Sequence, residues 1–454
     1  MLEINQELIV TVEKMLYEGL ALARKDNFPI FIEDGCAGDE LKIKITKSKK
    51  SFANATIIEI IKESEHRTKP FCALHNACGG CQWQHIEYSE QLKQKQNIVD
   101  ETIKKITGES INVLATIPSP KTREYRHKVQ YPISQTKVSK RLLAGYYKKH
   151  THELINIKHC PIQPRIIDSI IEQIKDKAQS LNINAYNEKK HTGILRHVVF
   201  KHSSSSEKSI VILVVNTDKI PDSIDELASY IYKTFPEVSG VCVNFNTQKN
   251  NVILGKETKC LIGDDYYTQV LGDITYKISA NSFFQVNPFS AEEIFNSVKE
   301  MIVKNIEDPT ILDAYSGVSS FGIWMKDIAK EVTCVEEIKS ASDDAVSSIH
   351  LNNATNINVI NGNTSEIFKT LIEEEKQFDV TLLDPPRKGC EVEALENAVK
   401  LTKSLIIYVS CNPSSLARDI KYLHENGFKT ECIQPVDMFP HTYHIESIAL
   451  LKRH

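Results

Sequence analysis

The sequence predicts an α/β protein: a doubly wound, mainly parallel sheet over 276–454, preceded by a small β-barrel over 1–66 and a central α+β region over 67–275. Three observations predict it. From Ser290 onward, short apolar runs alternate with helix-period segments, the order that builds βαβ units. Residues 1–66 instead hold closely spaced strand patterns. Between the two lie a cysteine cluster, one long helical pattern and a strand-rich tract.

In the first segment the strands are IFIE (Ile30–Glu33), LKIKIT (Leu41–Thr46) and NATIIEII (Asn54–Ile61). Leu41, Ile43 and Ile45 share one face, and Lys42 and Lys44 the other, as a half-buried strand requires. In the second, a helix over 90–106 sets Leu92, Val99, Ile103 and Ile106 on one stripe. In the third, Ser290 and Glu293 have the spacing of a capping box, ahead of Ile294, Val298 and Met301. The runs TILDAY (Thr310–Tyr315), EVTCVE (Glu331–Glu336), INVING (Ile357–Gly362), FDVTLLDPP (Phe378–Pro386) and SLIIYVSCN (Ser404–Asn412) then form the sheet. TECIQPVDM (Thr430–Met438) and ESIALLKR (Glu446–Arg453) add two strands.

The chain of 454 residues, 41% hydrophobic and 25% charged, has material for two to four packed domains. No apolar run approaches the roughly 20 residues of a membrane helix, and MLEINQELIV lacks the basic start and apolar core of a signal peptide. The expected compartment is the cytoplasm, with no membrane partner. Eleven cysteines in such a chain point to a metal site or a reactive thiol rather than to a disulfide framework.

A net charge of -4 hides an uneven distribution. Residues 1–200 carry 31 Lys and Arg against 23 Asp and Glu, and the remainder reverses the balance, 24 against 36. The densest basic stretch, Lys121–His150, holds nine Lys and Arg, a single acid (Glu124) and tyrosines at 125, 131, 146 and 147. Basic groups neutralise phosphates and aromatic rings stack on bases, so this stretch predicts an RNA face.

The cofactor signal is DAYSGVSSFG, Asp313–Gly322, between a strand and a helix. Backbone amides at and after Gly317 can face a ligand there. Glu336 ends the next strand, placed to accept from ribose hydroxyls. The loop is not GxGxxG and no Walker-type lysine follows, so S-adenosylmethionine fits better than NAD or ATP.

Two groups of cysteines carry chemistry. Cys72, Cys78 and Cys81 lie in CALHNACGGC, with Cys160 in HCPIQP as a fourth thiol. Structural zinc and an iron–sulfur cluster both accept four cysteines, so ligand type leaves the two open. Cys411 falls at the carboxyl end of a predicted strand, where open α/β sheets bind ligands, and DPPR (Asp384–Arg387) ends the neighbouring one. Two polar strand ends converge on one pocket.

The chain resembles the RNA uracil-5-methyltransferases over nearly its whole length. The resemblance is carried by LALARKDNFPIFIEDGCAGDEL, CALHNACGGC with HCPIQP, GILRHVVF, NSFFQVNP, DAYSGVSSFG, LLDPPRKG, YVSCNPSSLARD and MFPHTYHIE. It implies a Rossmann-like class I methyltransferase domain, an OB-like TRAM barrel at the N-terminus and a central iron–sulfur domain. By that likeness Cys72, Cys78, Cys81 and Cys160 hold a [4Fe-4S] cluster, Cys411 is the nucleophile and Glu446 the general base. Gln285, Tyr315, Glu336, Asp384 and Asn363 contact S-adenosylmethionine, and Phe283 is the candidate for stacking on the target base. The TRAM barrel with four cysteines resembles the 23S rRNA branch more than the shorter tRNA enzymes. Ser319 stands where that family commonly has a second glycine, Ser320 where it has asparagine, and Ser415 where it has threonine.

Carbon 5 of uracil is too weak a nucleophile to take a methyl group unaided, which explains why a thiol and a base are both required. An RNA cytosine-5-methyltransferase, using Cys390 as a second thiol, and a non-catalytic RNA-binding assembly factor are the alternatives. The first lacks its expected acid and cysteine motifs here; the second is disfavoured by the presence of both Cys411 and Glu446.

Overall fold

The computed structural model describes residues 2–454. Five strands, β1 (Glu7–Met15), β2 (Ala21–Lys25), β3 (Phe28–Ile32), β4 (Glu40–Ser48) and β5 (Ala53–Lys62), close a barrel in the order β1-β2-β3-β5-β4. Leu41, Ile43 and Ile45 of β4 are buried as their alternation requires.

The long helix α1 (Tyr88–Thr107) ends on Gly108, whose left-handed φ of 80° lets its amide reach the Lys104 carbonyl. Its buried face is more polar than the sequence stripe implies: Gln91, Gln94 and Lys95 are buried beside Ile98, Val99 and Ile103, while Leu92 is only partly covered. Gln91 and Lys95 have partners in the C-terminal segment, at His441 and Asp437, and Gln94 accepts from the Met15 amide of the barrel, so tertiary hydrogen bonding, not helical period, decides their burial.

The central region is a seven-stranded sheet built from β6 (Lys128–Gln135), β7 (Leu142–Tyr147), β8 (Leu154–Asn156), β9 (Leu195–His202), β10 (Ser209–Val215), β11 (Val238–Phe245) and β12 (Glu257–Gly263), in the order β12-β11-β10-β9-β6-β7-β8. Helices α2 (Arg165–Ser180) and α3 (Asp222–Thr234) cover one face and share its core, with Ile170, Ile174, Leu227 and Ile231 against Val211 and Leu213. Tyr125 and Tyr131 are fully buried. The interleaved tyrosines expected to stack on RNA are therefore, at these two positions, core residues: Tyr125 donates to the Pro440 carbonyl at 2.9 Å.

A hairpin, β13 (Tyr266–Leu271) with β14 (Ile274–Ser279), leads into α4 (Pro288–Val303). The capping box expected at Ser290 is replaced by Asn287, whose side chain accepts from the Ser290 amide with Pro288 at the first helical position. Ser290 is drawn instead into a buried bond to the Asp437 carbonyl at 2.9 Å.

The C-terminal sheet comprises β15 (Thr310–Ala314), β16 (Glu331–Glu336), β17 (Ile357–Asn361), β18 (Phe378–Leu383), β19 (Thr402–Ser410), β20 (Phe428–Val436) and β21 (Glu446–Arg453). Its order, β17-β16-β15-β18-β19-β21-β20, places all the parallel strands together and adds β21 antiparallel to β19. Helices α5 (Ser320–Trp324), α6 (Lys339–Leu351), α7 (Thr364–Glu373), α8 (Val392–Leu401) and α9 (Pro413–Glu425) connect the strands. This is the doubly wound sheet the sequence predicts, and every expected strand is present. Among the described residues, no helix is long and apolar enough to cross a membrane.

Candidate active site

Ser410 pairs with Ser447 across the β19–β21 junction. Cys411 follows Ser410 and Glu446 precedes Ser447, so the antiparallel register sets thiol and carboxyl side by side at the carboxyl edge of the parallel strands. Asn412 then caps α9 by accepting from the Ser414 amide, with Pro413 next. The strand stops in one residue, which leaves Cys411 on the turn.

Burial pushes the Cys411 thiol up to about 12, with the Glu446 and Asp384 charges adding and Arg387 opposing. Burial also holds the Glu446 carboxyl well above the ordinary carboxylate range, with Asp384 adding. Asp384, the residue after β18, is pushed up to about 7 by burial. Cys411 and Glu446 thus both feel the Asp384 charge, and Arg387 supplies the nearby positive charge that opposes it. A carboxyl with so strong a hold on a proton is a strong base once it ionises.

The DPPRKG turn that carries Asp384 and Arg387 is gripped by α9. Asp419 accepts from the Cys390 amide at 3.0 Å and from the Tyr408 hydroxyl at 2.5 Å, and Arg418 donates to the Lys388 and Cys390 carbonyls. Gly389 has φ +81°, and a Cβ there would lie 2.5 Å from both Arg418 and Asp419. Ser415 donates to the Arg387 and Asn412 carbonyls, so its hydroxyl does the work expected of a threonine at that position. Cys390 is buried in a core cluster with Tyr408.

The cofactor loop lies over β15 and β16. Glu336 accepts from the Gly317 amide at 2.8 Å and the Ile338 amide at 2.7 Å, which fixes its carboxylate at the strand end. Gly317 has φ +56° with nothing within 4 Å of where a Cβ would stand, an open backbone cradle. Beneath it, Asp313 is pushed up to about 8 by burial, with Asp384 and Glu336 adding. One Asp313 oxygen holds the Gly322 amide and the other is buried without a partner. Ser319 occupies the left-handed region at φ 60°, ψ 42°, a strain of about 1 kcal/mol that a glycine would not carry. Its hydroxyl sits 3.0 Å from the Cys334 sulfur.

Tyr315 follows β15, half-buried in the left-handed region at φ 61°. Asn363 caps α7, its oxygen accepting from the Ser365 and Glu366 amides, next to Gly362, which donates to the Glu336 carbonyl. Gln285 enters from the β14–α4 connection and lines a cavity with Lys128, Lys201 and His127. Phe284 is buried, whereas Phe283 is 54% exposed with the Lys128 ammonium 5.2 Å from its ring centroid. Such a ring is a platform, not a core residue.

Cys72, Cys78, Cys81 and Cys160 line a single cavity, with His75, Tyr146 and His159. All four are free thiols, and burial pushes Cys81 up to about 12 and Cys160 higher. Cavity and donor set suit a group that binds thiolates. The segment after Cys81 is tied to the catalytic loop, since the Gln82 and Trp83 amides both donate to the His441 carbonyl, at 3.1 and 2.9 Å.

Sequence reasoning missed Tyr17 and Tyr443. Tyr17, on the barrel, packs edge-on against Tyr443 at 5.5 Å, and the Arg387 guanidinium lies beside the phenol groups of both. No local pattern marks a residue whose neighbours lie some 400 positions away.

Comparison with known proteins agrees with this geometry. The family model described as tRNA (uracil-5-)-methyltransferase matches residues 87–454, and the TRAM domain model matches residues 2–58. An uncharacterized RNA methyltransferase of Bacillus cereus is 36% identical over 454 residues, covering 99% of this chain and 98% of its own. One from Clostridium tetani is 36% identical over 435 residues, covering 96% and 94%. Among solved structures, the Pyrococcus abyssi tRNA (uracil-54, C5)-methyltransferase in complex with S-adenosyl-L-homocysteine superposes with a TM-score of 0.75 at 25% identity, over 98% of this chain and 100% of that one.

Proposed function

The chain belongs to the tRNA (uracil-5-)-methyltransferase family of S-adenosylmethionine-dependent RNA methyltransferases, and we propose that it methylates carbon 5 of a uridine in 23S rRNA through a transient Cys411–uracil bond. The observation that carries the reading is the pairing register that puts Cys411 beside Glu446, at the strand ends that also carry Asp384 and Glu336.

S-adenosylmethionine would be held by Glu336, Asp384, Tyr315, Gln285 and Asn363 and would supply the methyl group. The Cys411 thiolate adds to carbon 6 of the uracil, and the electrons of the 5,6 double bond move toward carbon 5 and the carbon 4 oxygen. Carbon 5, now nucleophilic, would bond to the methyl carbon as the sulfur–methyl bond breaks and the electron pair stays on sulfur, leaving S-adenosylhomocysteine. The Glu446 carboxylate takes the carbon 5 proton, the double bond reforms, and the carbon–sulfur bond breaks to return the thiolate; a positioned base contributes about 10²- to 10⁴-fold. The target base has to leave its stack for both faces to be reached, and exposed Phe283 is the surface on which it rests.

The four cysteines hold a [4Fe-4S] cluster in this reading. The four cysteines line one cavity, and four thiolates are the ligand set of a [4Fe-4S] cluster. The proposed division of labour follows the three segments, with 1–66 docking RNA, 67–275 holding the cluster and recognising RNA, and 276–454 carrying the transfer.

A tRNA substrate is the second reading, favoured by the full-length likeness to an enzyme named for uracil-54 of tRNA. The test is nucleoside mass spectrometry of unmodified 23S rRNA and tRNA transcripts after incubation with anaerobically purified protein and S-adenosylmethionine. 5-Methyluridine in 23S rRNA alone supports the first reading, and in tRNA alone the second. 5-Methylcytidine, or no transfer to either, overturns both.

A further inference from the structure

We propose that Tyr17, which the barrel delivers to the catalytic edge, donates its hydroxyl hydrogen bond to the uracil carbonyl that takes up negative charge when Cys411 adds to carbon 6. The proposal rests on the Cys411 reading above. The Tyr17 hydroxyl is buried and its hydrogen has no acceptor in the protein, since the Arg387 guanidinium beside it is itself only a donor. Burying such a group unpaired costs about 1–3 kcal/mol, a cost that a bound ligand removes.

Its surroundings identify the ligand. The ring stands at 78° to Tyr443, centroids 5.5 Å apart, and Tyr443 stacks on His444 at 4.4 Å, two residues before Glu446. Arg387 and Cys411 are its charged and ionisable neighbours. The hydroxyl thus opens on the same space as the nucleophile and the base. The turn that carries it is held under strain and tightly seated: Glu18 has φ 74°, and a Cβ on Gly19 would lie 3.1 Å from Gln82 and 3.2 Å from Tyr443.

When the thiolate adds to carbon 6, the electron pair of the double bond passes through carbon 5 to the carbon 4 oxygen, which becomes an enolate oxygen. A neutral O–H donor fixed beside that oxygen binds it more strongly in the addition step than in the ground state, and removal of one such donor typically costs about 10²- to 10³-fold in rate. The barrel then does more than hold RNA: it completes the site in which the covalent step occurs.

Tyr17→Phe in the full chain keeps the ring and removes the donor. Two rates are measured with 23S rRNA and tRNA transcripts: turnover, and trapping of the protein on the same RNA made with 5-fluorouridine. A fall of about 10²-fold in kcat and a parallel fall in trapping, with RNA Kd and melting temperature as in the parent, support the proposal. Unchanged kcat, or a loss accounted for by weaker RNA binding, overturns it. Absence of any trapped adduct with the parent protein overturns the Cys411 reading itself, and the proposal with it.

Discussion

Lys95 and Asp437 form an ion pair at 2.6 Å in which neither side chain is exposed to solvent. It joins α1 to the segment that runs from β20 into Glu446, and Lys95 also donates to the Phe439 carbonyl at 3.2 Å. Gln91 adds bonds to both the amide and the ring of His441. The general-base candidate is thus positioned from a helix outside its own domain.

Lys95→Met leaves the Asp437 carboxylate buried without its partner and is expected to destabilise the protein by about 3–5 kcal/mol. The pair Lys95→Met with Asp437→Leu is expected to recover much of that loss. Urea titrations of both variants check this, and a single variant as stable as the parent would contradict the structural role.

Cys411→Ala is expected to abolish methylation and RNA attachment together. Glu446→Gln blocks the elimination step alone, so the RNA–protein adduct accumulates and survives denaturing electrophoresis. Turnover by the alanine variant would sink the covalent mechanism.

Phe283→Ala removes an exposed platform whose stacking is worth about 1–3 kcal/mol per base. A rise in KM for RNA or a fall in kcat/KM of roughly 5- to 150-fold is expected, with no loss of thermal stability. A drop in melting temperature instead would return Phe283 to a packing role.

Asp384 has its folded-state pKa raised to about 7 by burial, against about 3.9 in an unfolded chain. Between those values the native state holds the extra proton, so stability falls as pH rises from about 4 to about 7 and is flat above. The contribution lost at pH 8 is at most about 4 kcal/mol. Asp384→Asn cannot titrate, so its melting temperature should decline less than the parent's between pH 5 and pH 8. Identical declines would show that this carboxyl does not titrate in that window.

Cys81→Ser is expected to lower bound iron and acid-labile sulfide and, with them, turnover. The Gln82 and Trp83 amides that follow Cys81 donate to the His441 carbonyl, so loss of the proposed cluster is expected to loosen the loop ahead of Glu446. Normal turnover in an iron-free protein would separate the two.

Alternation and period alone located every strand of the C-terminal sheet and the buried face of β4, because burying one side of a regular element leaves its repeat in the sequence. The strand-end rule likewise found Cys411, Asp384 and Glu336, since each directly follows or closes an apolar run. Local patterns failed where a distant partner decided the outcome. Ser290 lost its cap to Asn287 because its hydroxyl serves Asp437, Tyr125 left the expected RNA face because its hydroxyl reaches Pro440, and Lys95 is buried because Asp437 awaits it. The chain by itself determined the class of fold, the family and the chemical groups at hand. Only the tertiary structure decided that Glu446 stands beside Cys411 and that Tyr17 of the barrel lies near Cys411 and Arg387, because those proximities come from strand register and domain packing, which bring together residues that no sequence period connects.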